Sequence, residues 1–366
     1  MHRAKIAIVA YNLDRGGLTN ATLTLLKILS MQKKLAVNLL LLEQVQKTFD
    51  ETICVDFRAS RDPKKRGRLK KIKTYLAFKS YLKNNKFDFI IDSRYRINPI
   101  SEIFFSKVFY YKKQVIYTIH SSNLSHYLSE YKFLTRFLYK NAYKLVCCSI
   151  GVKNEVVKTY KLTNVSCIYN AINKSEKKIV DKTPFGFNYI VAVGRFEPEK
   201  QYDKLIRAYS KSILPVKDIK LVLVGDGSQQ PVYNKLVRNL NLQEKVVFTG
   251  YVPNPYLYYK FAMFSVLCSK FEGFGLVIVE SLAVSTPVVS FDVASGPNEI
   301  IIHNNNGILV EDQNFDALTD AMDTLIEDEK KLVTYSTNAK KSIERFYGEN
   351  IVKDWLKLMR ITNGIN

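Results

Sequence analysis

The chain is poor in the residues that build metal centres, with four histidines and five cysteines in 366 residues. Cys54, Cys147, Cys148, Cys167 and Cys268 show no C-x-x-C spacing, and no histidine has cysteine or carboxylate neighbours at ligand intervals. That pattern excludes a zinc ribbon and a small disulfide scaffold, and a reduced cytosolic protein with no metal is expected. Long apolar runs are also missing. A membrane-spanning helix needs about 20 such residues, whereas the run 35–42 is already broken by Asn38. Membrane contact, if any, is therefore expected to be peripheral. The apolar stretch of 1–10 stops before Asp14 and Arg15 without a small-residue cleavage site. It reads as a first buried strand rather than a leader.

Acidic residues are scarce in one half only. Residues 1–180 hold 34 basic against 12 acidic side chains and residues 181–366 hold 21 against 22, so the net charge of +21 sits entirely in the first half. With 47% hydrophobic and 24% charged residues the composition is that of an ordered globular protein. The charge asymmetry predicts two domains with different partners.

Short apolar runs alternate with helical patterns along the whole chain, which predicts parallel sheets covered by helices on both faces. Strands are expected at 5–10, 37–42, 87–92, 115–119, 145–149 and 165–169, with helices such as 18–30 and 69–83 between them. A polar, aperiodic stretch at 175–187 reads as a linker. A second series follows, at 189–193, 220–224, 246–248, 264–268 and 287–291. The prediction is two Rossmann-like, doubly wound α/β domains, 1–174 and 188–348, facing a central cleft. A last segment, 349–366, carries the sole tryptophan, Trp355, at helical spacing and is expected to pack back on the first domain.

Ligands of such sheets bind beyond the carboxyl ends of the strands, where loops and helix N-termini gather. In the first half those ends carry Gly16 and Gly17, then 92–96, then 120–123. In the second they carry 194–200, 225–227, 250–254 and 269–275.

The run Phe271-Glu272-Gly273-Phe274-Gly275-Leu276-Val277-Ile278-Val279-Glu280 places two glutamates, separated by seven residues, across a glycine-opened helix start. Backbone N–H groups there suit an anion, and a carboxylate accepts two hydrogen bonds from a vicinal diol. A lone glutamate on a helix ordinarily faces solvent. Glu280, however, is flanked by Val277, Ile278, Val279 and Leu282, so it needs a partner. The turn Gly194-Arg195-Phe196-Glu197-Pro198-Glu199-Lys200 adds two cations suited to a diphosphate, Arg195 as a fork and Lys200 as a point charge.

Taken in order, Gly194-Arg195-Phe196 with Lys200, Gly225-Asp226-Gly227, Phe248-Thr249-Gly250-Tyr251-Val252, 269–280, Thr286-Pro287-Val288-Val289 and 296–300 resemble glycosyltransferase family 4. These are retaining, nucleotide-sugar-dependent enzymes of the GT-B fold, also called glycosyl transferases group 1. In the first half the resemblance rests on Gly16-Gly17, Thr118-Ile119-His120 and Asn170 within Ile168-Tyr169-Asn170-Ala171.

The resemblance implies roles. Arg195 and Lys200 would hold the donor diphosphate in place of a metal ion, and Glu280 the ribose hydroxyls. Glu272, with the amides of Phe274, Gly275, Leu276 and Val277, would hold the transferred sugar and its phosphate. Tyr251, Val252 and Pro253 would lie against the base, and His120 beside the hexose. Gly17, with Gly16, would let the first helix approach the phosphates, and Gly194 and Asn170 belong to the same donor site. No cofactor beyond the nucleotide-sugar is implied, a UDP-sugar before a GDP-sugar. The chain departs from the family where Leu18-Thr19-Asn20 replace a frequent Glu-Arg pair, where Tyr169-Asn170-Ala171 replace Pro-Asn-Gly, and at Ser285.

The basic half carries Arg61, Lys64, Lys65, Arg66, Arg68, Lys70, Lys71 and Lys73, followed by Tyr75, Leu76, Phe78, Tyr81 and Leu82. This reads as a basic amphipathic helix for an anionic bilayer, to which each cation contributes about 1 kcal/mol. Arg94, at the 92–96 strand end, joins the acceptor- and membrane-facing set, and 104–113 extends it. A nucleic-acid surface ranks lower because no recognisable module accompanies the charge. The expectation is a peripheral enzyme on the inner face of the cytoplasmic membrane, moving a hexose or N-acetylhexosamine to a lipid-linked or glycan acceptor. A nucleotide-sugar epimerase on the same fold and a basic nucleic-acid-binding protein stay as alternatives.

Overall fold

The computed structural model describes residues 3–13, 16–43, 54–57, 68–173 and 182–361, with side chains from residue 72 onward in the helix that begins at Arg68. Its chain divides into two units, Met1–Ala171 with Gly348–Asn366, and Ile172–Tyr347. Residues 58–67 lie outside the described part, and with them Arg61, Lys64, Lys65 and Arg66, as do 175–181 of the expected linker.

In the first unit the described strands are β1 (Ala4–Ala10), β2 (Leu35–Leu41), β3 (Cys54–Asp56), β4 (Phe89–Asp92), β5 (Val115–Ile119), β6 (Lys144–Cys147) and β7 (Val165–Cys167). They lie in the order β3-β2-β1-β4-β5-β6-β7, every pairing parallel. The second unit holds β8 (Tyr189–Val193), β9 (Lys220–Val224), β10 (Val246–Gly250), β11 (Ser265–Leu267), β12 (Val288–Phe291) and β13 (Gly307–Val310). Their order is β10-β9-β8-β11-β12-β13, again all parallel. Both are doubly wound sheets. The expected strands all form, with ends within two residues of the pattern-based limits; two short edge strands, β3 and β13, were not expected.

Strand order decides where a ligand can sit. The direction of winding reverses between β1 and β4 in one sheet and between β8 and β11 in the other. At such a switch point the two following loops diverge to opposite faces and leave a crevice. The loops after β8 and β11 are those that carry Arg195, Lys200 and Glu272.

The closing helix, Gly348–Leu358, belongs to the first unit. Ile351, Val352, Trp355 and Leu356 are buried with Ile8, Leu25, Ile28 and Leu29 of β1 and helix Gly17–Ser30. Side chains of this size contribute roughly 1.5–3 kcal/mol each on burial. The Tyr143 hydroxyl adds a hydrogen bond of 2.8 Å to the Leu358 carbonyl. On the other side of the linker, Phe185 stacks on Phe187 at 4.8 Å and meets Tyr189 edge-on at 5.4 Å, so residues 185–187 pack onto the second unit.

Helix Arg68–Asn85 corrects the simple amphipathic reading. Thr74, Phe78 and Leu82 are buried and Tyr75 and Tyr81 are partly so, whereas Ile72 and Leu76 stand exposed among Lys73, Lys79 and Lys83. The large aromatics face the protein. Among the described residues of this helix, the large aliphatic side chains that look outward are Ile72 and Leu76.

Candidate active site

In the second unit the site begins with a tight fit between two loops. A Cβ at Gly225 would lie 1.9 Å from the Gly194 carbonyl oxygen, so only glycine fits there, and its φ of +148° is one glycine tolerates. Phe196, fully buried, takes a hydrogen bond of 2.7 Å from its own N–H to the Asp226 carbonyl. With Phe196 pinned inward, its neighbour Arg195 points outward, 62% exposed and ion-paired with Glu199 at 3.0 Å.

Lys200 is positioned by a second set of ties. The Lys270 N–H donates to the Glu199 carbonyl at 2.8 Å. The Gln201 amide donates to the Cys268 carbonyl at 2.9 Å and the Cys268 thiol to the Lys200 carbonyl at 3.2 Å. Burial holds that thiol protonated, pushed up to about 12. The loop after β8 is thereby stapled to the end of β11. Its consequence is the ion pair at the centre of the site: Lys200 Nζ lies 2.5 Å from Glu272 Oε1 and 3.4 Å from Ser269 Oγ.

Glu272 is itself fixed through its carbonyl, which accepts from the Ser295 hydroxyl at 2.5 Å. Behind it, a Cβ at Gly296 would lie 2.5 Å from the Phe274 carbonyl oxygen, with φ at +92°. The loop after β12 therefore presses directly on the backbone of 272–274. Helix Leu276–Leu282 starts there, and its first N–H groups point back toward the loop. Glu280 lies on that helix, half-buried beside the buried Tyr259. Burial raises its carboxyl to about 7, with the Tyr259 hydroxyl pulling the other way. Tyr251 is 39% exposed and Val252 packs partly against the core, leaving an aromatic face accessible next to Gly250.

In the first unit, Gly16 caps helix Gly17–Ser30, which follows β1. His120 follows β5, and its Nδ1 lies 3.0 Å from Asn170 Oδ1. An amide oxygen only accepts, so Nδ1 carries the proton and Nε2 is left as a bare acceptor. That Nε2 is buried and unpartnered. Burial, with the nearby Arg96 charge, holds the ring at about 4 against the pull of Asn170, so it is neutral at physiological pH. A cavity of about 20 Å³ adjoins it, lined by Thr118, Cys148, Asn170 and Trp355 among others. That is room for about one water.

Arg94 does not stand with the surface cations. Its guanidinium is fully buried, 2.7 Å from Asp92 and 3.2 Å from Glu102, and its Nη1 donates to the Tyr11 hydroxyl at 3.0 Å. The two carboxylates outweigh the cost of burial and hold it charged. It cannot reach an acceptor or a bilayer. Arg68, Lys70 and Lys71 fall within the helix but their side chains are outside the described part, and Lys73 is exposed. The parts that the sequence did not point to are Tyr259, Ser295 and Glu102, which the fold brings to Arg94 and Asp92 as a buried ion cluster.

Among the described residues no helix is long and apolar enough to cross a membrane. The family model for glycosyl transferases group 1 matches residues 173–342, and that for glycosyltransferase family 4 matches residues 15–176. The chain is 30% identical over 372 residues to the N-acetylgalactosamine-N,N'-diacetylbacillosaminyl-diphospho-undecaprenol 4-alpha-N-acetylgalactosaminyltransferase of Campylobacter jejuni, covering 97% of this chain and 99% of that one. The structure is similar to that of Anabaena HepE in complex with UDP, with a TM-score of 0.76 at 18% identity over 98% and 100% of the two chains. It is also similar to the lipopolysaccharide outer core galactosyltransferase WaaB, with a TM-score of 0.71 at 19% identity over 97% and 99%.

Proposed function

The chain belongs to glycosyltransferase family 4, and from that premise we propose that it is a retaining enzyme moving a hexose or N-acetylhexosamine from a UDP-sugar to a lipid-linked acceptor. The observation that carries the reading is the Lys200–Glu272 pair at 2.5 Å, set at the switch point of the second sheet and eight positions before Glu280. A cation held by a carboxylate in this way is placed before the donor arrives. On binding, the donor diphosphate takes Lys200 and Arg195, whose exposed fork is free to swing from Glu199. Glu272 then accepts from hydroxyls of the sugar, and Glu280 from the ribose diol.

Positive charge fixed at the departing diphosphate stabilises the leaving nucleotide, since donors aimed at developing charge need no reorganisation during reaction. In this proposal the two cations do that work without a metal ion. On the first unit, His120 offers a neutral ring whose Nε2 is an acceptor for one small donor in its adjoining cavity. Front-face attack, with the departing phosphate receiving the acceptor's proton, gives retention. The activity of the Campylobacter relative on a diphospho-undecaprenol acceptor supports a lipid diphosphate acceptor, and the UDP in the HepE structure supports a uridine donor.

The one-sided charge supports a peripheral location at the inner face of the cytoplasmic membrane, where such an acceptor is met. The test is to incubate the protein with UDP- and GDP-sugars and lipid diphosphate acceptors without added metal and to measure nucleotide release and the anomeric configuration of the product. UDP release that requires acceptor, with an axial donor linkage kept axial, is expected. Release of free sugar isomers without acceptor would instead indicate an epimerase.

A further inference from the structure

Two walls in the first unit carry aliphatic and aromatic side chains that no other described residue covers. On helix Arg68–Asn85, Ile72 and Leu76 are 53% and 61% exposed; on the segment Pro99–Phe104, Ile100 and Phe104 are 68% and 53% exposed. Between them runs a groove of about 480 Å³. Single exposed apolar residues are ordinary, but facing rows that enclose a groove of ligand size mark a binding surface.

The groove has a stiff floor. Tyr75 meets Phe105 edge-on at 5.5 Å and lies against Phe109 at 5.6 Å. The Arg94 guanidinium sits 3.3 Å over the Phe105 ring, and Asp92 and Glu102 hold it there. The buried ion cluster thus supports the groove from behind. Charge is also arranged around it. Lys79 lines the wall, Lys73 and Lys83 are exposed on the same helix, and Glu102 is spent on Arg94. An apolar trough with a cationic margin fits a hydrocarbon chain that bears an anionic head.

Topology indicates whose chain. Helix Arg68–Asn85 leads into β4, so it runs back against the strands and begins at their carboxyl edge. Asn98 and Ile100 on the other wall follow the carboxyl end of β4. Gly16 and His120 lie at that same edge of the sheet. We propose that this groove seats the hydrocarbon chain of the lipid-linked acceptor, with Lys79 and its neighbouring lysines meeting the head-group phosphates. The assignment rests on the lipid-linked-acceptor reading given above, and goes beyond it in naming the site and the part of the acceptor that it recognises.

The experiment titrates the full chain with hexyl, decyl and tetradecyl phosphate below their micelle-forming concentrations, followed by calorimetry. Wild type should bind more tightly with each methylene, by roughly threefold to fourfold, until the groove is full. Ile100→Trp, which fills the trough, and Leu76→Glu, which charges it, should each weaken decyl phosphate at least tenfold. Both positions are exposed, so melting temperature and UDP binding should hold. Affinity independent of chain length, or unchanged in both variants, would overturn the proposal. So would variants that bind alkyl phosphates normally yet no longer float with phosphatidylglycerol vesicles, since the face would then be a bilayer contact rather than a single-chain site. Failure of the underlying reading looks different: chain-length-dependent binding stays intact while no lipid diphosphate accepts sugar, which removes the acceptor assignment.

Discussion

Lys200 and Glu272 stand 72 residues apart in sequence and 2.5 Å apart in space, joined across the loops that follow β8 and β11. Both are mostly shielded, at 17% and 13% exposure, so the pair is an internal contact rather than a surface ornament. Replacing Lys200 by Ala should lower kcat/KM for the donor by about 10²- to 10³-fold, the range for removing one preorganised donor at developing charge. Lys200→Arg should recover only part, because a planar fork does not occupy the position of an ammonium. Steady-state nucleotide release checks both, and near-wild-type turnover in Lys200→Ala would contradict the role.

The Glu280 carboxyl, raised to about 7 by burial, links donor binding to pH. A diol is bound by the carboxylate, and below pH 7 the free enzyme holds mostly the acid. UDP affinity should therefore fall as pH drops, approaching about tenfold per pH unit well below 7. Glu280→Gln should bind weakly and without that slope. Stability moves in the opposite sense. Because the folded pKa lies above the ordinary carboxyl value, the native state is disfavoured as pH rises from the usual range through 7. The Gln variant should accordingly melt higher than wild type at pH 8, a result readable by calorimetry across pH 5.5–8.5.

Asn170 sets the state of His120. In wild type the ring, held at about 4, should show no titration between pH 5.5 and 8 in NMR spectra of the imidazole protons. Asn170→Asp puts an anion at Nδ1 and should raise the ring's pKa toward the physiological range, adding a new ionisation to the pH profile of kcat. A wild-type ring titrating near 6.5 would contradict the assignment.

Arg94→Met removes the cation from between two buried carboxylates, 2.7 and 3.2 Å away. Breaking a buried pair in this way costs about 3–5 kcal/mol. Denaturant unfolding should show a loss of that order in the first unit, with the calorimetric UDP affinity of the remaining folded protein unchanged. A variant that kept its stability and lost only acceptor binding would restore the surface role that the structure denies to Arg94.

The sheets were legible because both faces of each strand are covered, which leaves near-continuous apolar runs such as Ile-Val-Ala-Val at 190–193 and Leu-Val-Leu-Val at 221–224. The two missed strands are edges. β3 has only three residues, and β13 opens on Gly307, whose missing side chain weakens any strand signal while its close approach to the Val288 carbonyl requires it. The donor loops were legible because glycine, charge and strand end coincide within a few residues. Arg94 was not, since an arginine after a strand looks the same in sequence whether it meets solvent or a glutamate eight residues on. The same limit applies to helix Arg68–Asn85. Its apolar residues fall at helical spacing, but which of them face inward is decided by Phe105 and Phe109 from another segment.

Acceptor-dependent nucleotide release tests the central claim most directly. Wild-type protein, given UDP-N-acetylhexosamines and a polyprenyl diphosphate acceptor, should release UDP and pass labelled sugar into the lipid-extractable fraction, and Glu272→Gln should reduce both by at least 10²-fold. No UDP or GDP release above background with any donor, or equal release by wild type and Glu272→Gln, would contradict it.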